Sequence, residues 1–167
     1  MRRASGWVWT LALAGALTAC DQGEEPVVMP AEEEVVTAYG GESVSAEVSG
    51  NLLRVTVPMP SGFERGGTLW SRSGPYFYLF TTATRDLLFA YPDISAIEVV
   101  ATTDAGEEVA RARLLRGALN EITWQRAIAY ASQAQTEGTE SPRHVDRLVR
   151  YGEEVTEFEY DADFVPR

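Results

Sequence analysis

Gly50-Asn51 lies in the middle of the alternating stretch Ser43–Val57, and no other feature constrains the fold as tightly. A glycine–asparagine pair tolerates the positive φ of a two-residue hairpin turn. Pairing across it sets Val48 against Leu53, Ala46 against Val55 and Val44 against Val57 on one face. The other face then pairs Glu47 with Arg54 and Ser45 with Thr56. A slip of one residue would mix apolar and charged side chains on both faces, so the pattern fixes the register. A second hairpin is expected from Ser95 to Leu115 around Asp104-Ala105-Gly106. It sets Ala101 against Ala110, Val99 against Ala112 and Ile97 against Leu114, with Glu98 facing Arg113 on the outer side. Four such strands need a cover over their apolar face.

Helices supply the cover. Residues Pro75–Tyr91 place Phe77, Phe80, Thr84, Leu87, Leu88 and Tyr91 on one stripe, with Ser73 as cap and Pro75 in the first turn. The competing reading is a strand over Tyr76–Thr82 followed by a short helix capped near Thr84. Asn120–Gln135 reads as a second helix with Trp124, Ala127, Ile128 and Ala131 inward. Ser141-Pro142 opens a third, carrying Val145, Leu148 and Val149 and stopping near Gly152. Thr156, Phe158 and Tyr160 alternate with Glu157 and Glu159, which marks a fifth strand or an extended edge. Pro58–Ser73 reads as a long loop. The expectation is a single α+β domain over residues 39–167: a mainly antiparallel sheet of two hairpins plus the fifth strand, covered by two to three helices.

The N-terminus has the anatomy of an export signal. Arg2 and Arg3 precede an apolar run of about eleven residues, Trp7–Leu17, too short for the ~20 that span a bilayer as a helix. Leu17-Thr18-Ala19-Cys20 follows, and Cys20 is the only cysteine. This segment resembles the lipobox of bacterial lipoproteins; the alternative is an ordinary secretory peptide with a coincidental cysteine. The resemblance is confined to residues 1–20. It implies a signal peptide over 1–19, diacylglyceryl modification of Cys20, membrane attachment through that lipid, and a domain in the cell envelope outside the cytoplasm. Asp21 resembles an inner-membrane retention signal of some double-membrane bacteria, and the choice of membrane stays open. Residues 20–38, with Glu24-Glu25, Glu32-Glu33-Glu34, Pro26 and Pro30, read as an acidic extended tether.

Removing the signal takes away two arginines and no acid, so the formal charge moves from −11 to −13. That balance disfavours nucleic acid as a partner. A lone cysteine excludes intramolecular disulfides. All the basic residues are arginine, which removes Ser–Lys dyads and Schiff-base catalysis. His144 is the single histidine, expected as a solvent-facing or capping residue between Arg143 and Arg147, and zinc sites of the usual nitrogen and sulfur type are disfavoured. Gly40-Gly41 and Gly66-Gly67 lack the helix and lysine of a phosphate loop. The acidic tail of Glu153, Glu154, Glu157, Glu159, Asp161 and Asp163 lacks the spacing of a calcium loop. No cofactor and no metal is expected.

Phe63, Trp70, Tyr76 and Tyr78 cluster in or beside the long loop. They read either as an exposed partner or glycan surface, or as a lid folded over the sheet. The leading functional expectation is a non-enzymatic, lipid-anchored envelope protein whose domain binds another envelope protein. The alternatives are a small-ligand or glycan binder using Phe63–Tyr78, and a hydrolase relying on paired carboxylates.

Overall fold

Both hairpins form in the expected registers. A computed structural model of the chain describes residues 27–41, 43–59, 63–138 and 140–162; Leu17, Thr18, Ala19, Cys20 and Asp163 lie outside them. Strand β1 (Ser45–Ser49) pairs with β2 (Leu52–Pro58), Val48 facing Leu53, Ala46 facing Val55 and Glu47 facing Arg54. The ladder ends at Ser45–Thr56, one residue short of the expected Val44–Val57 pair. Strand β3 (Ala96–Thr102) pairs with β4 (Glu108–Leu115), Ile97 facing Leu114, Val99 facing Ala112 and Glu98 facing Arg113. The fifth strand, β5 (Glu157–Tyr160), lies antiparallel along β4. Its outward glutamates blunt the open edge against strand addition.

The sheet is mixed rather than mainly built from independent hairpins. Its order is β1-β2-β3-β4-β5, and β2 runs parallel to β3, with Leu53 facing Ile97 and Val55 facing Val99. Parallel neighbours need a long crossover, and the segment between β2 and β3 provides one made of helix. β3 therefore sits at the centre, with Ala96–Ala101 buried on both faces, which accounts for its nearly unbroken apolar run.

Three helix assignments differ from the sequence expectation. Residues Glu32–Ala38 form helix α1 instead of tether. Glu32, Glu33 and Glu34 occupy its first turn, where the helix dipole favours negative charge, and Val35 and Tyr39, four apart, are buried. Tyr39 shares a 2.6 Å hydrogen bond with Thr84, and Tyr91 donates to Glu34 at 2.5 Å, so α1 is tied to the domain. Residues Phe63–Leu79 form α2, which occupies the expected loop, and α3 (Thr82–Ala90) follows after a break. The break falls where Thr81 turns extended and its hydroxyl accepts from the Thr84 N–H. The hydroxyls of Thr81 and Thr84 also both donate to the Tyr78 carbonyl, closing the end of α2. Pro75 thus lies inside a helix, not in a first turn, and no strand forms over 76–82. Finally, α5 (Pro142–Val155) runs through Gly152 instead of stopping there.

Helix α4 (Glu121–Glu137) starts at a capping box in which Asn120 and Thr123 satisfy each other's backbone N–H groups. Its buried face, Trp124, Ala127, Ala131 and Ala134, is mostly alanine, which lets α4 approach Val145, Leu148 and Val149 of α5 closely. α2 and α5 pack on the sheet side and on each other, and α4 lies against both. One face of the sheet is thus covered, and its other face stays open.

Candidate interaction surface

The periodicities that build the core also decide which apolar residues are left outside. On α3, Thr84, Leu87 and Leu88 point inward, and Phe89, one step further round the helix, is 72% exposed. On β4, Leu114 faces the core, so Leu115 must face away, and it is 49% exposed. On α4, Trp124 and Ala127 point inward, and Ile122, two residues before Trp124, is 70% exposed. Phe89 and Leu115 line a cleft of about 200 Å³ whose walls include Leu88, Gly117, Leu119 and Trp124.

Arg116 holds this region in shape. Its guanidinium donates to the carbonyls of Leu88, Tyr91 and Ile94, which joins the end of α3 to the start of β3. Those donors are occupied, so the cleft offers apolar surface on a stiff frame. The arrangement suits binding, because an apolar anchor on a pre-organised support loses little freedom on association.

The open face of the sheet carries a different pattern. Glu47, Arg54, Glu98, Arg113 and Glu157 alternate in sign across all five strands. Glu98 is only 3% exposed and accepts from Arg54 Nε at 2.7 Å and from Arg113 Nη2 at 2.9 Å. Arg111 extends the array to Glu159 and Glu108. Burial pushes the Glu98 carboxyl up, but the hydrogen bonds and charges of Arg54 and Arg113 outweigh it and hold the group below the usual carboxylate range. A carboxyl kept ionised in this way has no proton to donate near neutrality, which makes it a poor general acid for glycoside hydrolysis.

The same geometry sets an acid sensitivity. A carboxyl whose pKa is lowered by folding contributes stability that is complete above its unfolded value of about 4.3 and is lost as pH falls through the lower folded value. Glu98→Gln is expected to cost about 1–2 kcal/mol at pH 7, since the arginines are 43% and 38% exposed and partly screened. It should also flatten the loss of stability below pH 4.5. Melting curves of both proteins from pH 7 to pH 2.5 test this, and parallel curves would contradict it.

Of the aromatic set read from the sequence, Trp70 and Tyr76 lie in the core and not on a surface. Trp70 is 7% exposed and stacks on Phe77 with centroids 5.8 Å apart. Tyr76 is fully buried between Phe80 and Phe158, at 5.5 and 5.4 Å. Tyr78 is half-buried against the core, and Phe63 opens α2 with a side chain outside the described set. Trp70 and Tyr76 are core because they lie on helix: Trp70 and Phe77, seven apart, share one face. His144 is likewise buried, with Nε2 3.2 Å from Glu137 Oε2 but no hydrogen bond to either ring nitrogen. Its helix points it at α4, whereas a free first turn would have pointed it at solvent. Phe89, Leu115 and Ile122 were legible only as apolar residues out of phase with their own elements.

Among the described residues no group of three His, Cys, Asp or Glu side chains gathers as a metal ion would need. No family model, curated protein or solved structure matches this chain.

Proposed function

We propose that the chain is a lipid-anchored protein of the cell envelope, held through diacylglyceryl-modified Cys20, whose α+β domain docks an envelope protein partner. The observation that supports a docking role is the outward apolar pair Phe89 and Leu115, which line one stiff cleft. Exposed large apolar side chains gathered at one place, unlike ones scattered singly, favour association. The Leu17–Cys20 segment supports the anchor. No described helix is long and apolar enough to cross a membrane, so attachment in this proposal rests on lipid. The cleft is smaller than the ~300–1,000 Å³ typical of small-molecule sites, which favours a protein side chain as its occupant.

Two measurements test the two halves separately. Metabolic labelling with a fatty acid should mark the wild-type chain, and Cys20→Ser should lose both the label and membrane retention. An unlabelled, soluble wild-type protein would refute the anchor. Affinity capture from envelope extracts should recover one protein with the wild type and not with Phe89→Ser/Leu115→Ser. Both side chains are exposed, so each change should alter stability by no more than about 0.5 kcal/mol. Equal recovery by the folded variant would remove this surface from consideration.

A further inference from the structure

The groove between α4 and α5 has a charge opposite to that of the chain as a whole. Four arginines line it, Arg126 from α4 and Arg143, Arg147 and Arg150 from α5, against two carboxylates, Asp146 and Glu154. Its formal charge is therefore +2 on a chain of −11. Elsewhere the arginines whose side chains are described are already engaged. Arg54, Arg72, Arg85, Arg111 and Arg113 pair with carboxylates, and Arg116 donates to backbone carbonyls. In the groove only Arg150 has such a partner, Asp146 at 2.9 Å. Arg126, Arg143 and Arg147 are exposed and meet no carboxylate within ion-pair distance among the described residues.

The groove floor is pre-formed. Tyr130 and Tyr151 meet edge to face with centroids 5.4 Å apart, and the Tyr151 hydroxyl donates to the Thr123 carbonyl at 3.1 Å. The guanidinium of Arg147 lies 5.5 Å from the Tyr130 centroid. Stacking on the ring restrains that guanidinium, which lowers the freedom lost when it grips a ligand. The groove holds about 590 Å³, within the range of small-molecule sites.

We propose that this groove is a binding site for a single phosphate ester group. Guanidinium forks match phosphate oxygens in bidentate geometry, and the tyrosine shelf offers apolar contact to whatever the phosphate is esterified with. Size follows from the charge balance. A small anion lies within a Debye length, about 8 Å, of the arginines and is screened from the acidic remainder of the chain. A polyphosphate backbone would extend past the groove onto that acidic surface and be repelled, which excludes nucleic acid as the occupant. The groove adjoins the Phe89 cleft, with which it shares Leu119, but its four arginines lie outside that cleft, and it does not depend on lipid anchoring.

Titration calorimetry of the full chain with sn-glycerol 3-phosphate, with dihexanoyl phosphatidylglycerol below its micelle concentration, and with succinate provides the test. The expected result is saturable one-to-one binding of a phosphoester and at least tenfold weaker binding of succinate. A preference for the phosphatidylglycerol assigns the group to a lipid headgroup, and the reverse preference assigns it to a soluble metabolite; either sustains the site. Arg126→Gln/Arg143→Gln should weaken binding at least tenfold with the melting temperature unchanged, because neither side chain has an ion-pair or hydrogen-bond partner among the described residues to lose. Arg147→Gln tests the stacked guanidinium separately. Arg85→Gln, which removes a charge elsewhere, should have no effect. Absence of binding by both phosphoesters, equal affinity for succinate, or equal loss in the Arg85 control would overturn the proposal.

Discussion

Truncating Trp70 to alanine is expected to lower stability by about 3–5 kcal/mol, a drop in melting temperature on the order of 10–15 °C for a domain of this size. The indole is 7% exposed and stacked on Phe77, and α2, which carries both, packs directly on β3 and β4. Removing it leaves a cavity at the junction of helix and sheet that the surrounding structure cannot close. The paired control is Phe89→Ala, at a ring that is 72% exposed, where the change should stay within about 0.5 kcal/mol. Thermal or urea unfolding of the three proteins decides the matter. A Trp70→Ala protein as stable as wild type would mean that α2 does not cover the sheet as described.

The contrast between these two rings shows what could be seen in the sequence. The hairpin registers were legible because they depend on local alternation with a turn between, and one slip would bury charges such as Glu47 and Arg54. The parallel neighbour relation of β2 and β3 was not, since nothing in either strand records which distant strand lies beside it. The nearly continuous apolar run of β3 was the one hint that it is the central strand, flanked on both sides.

Helix α2 was hidden by its own composition. Gly66 and Gly67 each lower helix propensity by ~1 kcal/mol, so Pro58–Ser73 reads as loop, and Pro75, which costs ~3 kcal/mol inside a helix, reads as a first-turn residue. Burial overrides this: a Cβ on Gly74 would lie 2.9 Å from the Ala101 Cβ, so a small residue is needed where α2 meets β3. The helix face of Trp70 and Phe77 was visible in principle at a spacing of seven, but the proline and glycines outweighed it. The candidate surfaces divide in the same way. Arg143, Arg147 and Arg150 at helical spacing are apparent in the sequence, whereas their alignment with Arg126 and Tyr130 depends on how α4 and α5 dock.

Gly152 offers the sharpest test of that docking. In the sequence it looks like a helix stop; in the structure α5 continues past it to Val155. A Cβ at this position would lie 2.4 Å from both Cε1 and Cζ of Tyr76, a fully buried ring held between Phe80 and Phe158. The ring cannot withdraw, so α5 would have to move away from α2. If Gly152 were an ordinary position within α5, free of that contact, Gly152→Ala should stabilise by up to ~1 kcal/mol through helix propensity. The packing predicts the opposite sign: Gly152→Ala should lose about 1–3 kcal/mol, and Gly152→Val should reach or exceed the upper end of that range. Because the clash is with one ring, the losses should not add. In Gly152→Ala/Tyr76→Leu the smaller side chain vacates the space, and the double variant should be more stable than the sum of the single losses by at least about 1 kcal/mol. Additive losses in urea unfolding, or a Gly152→Ala protein more stable than wild type, would show that α5 does not press against Tyr76.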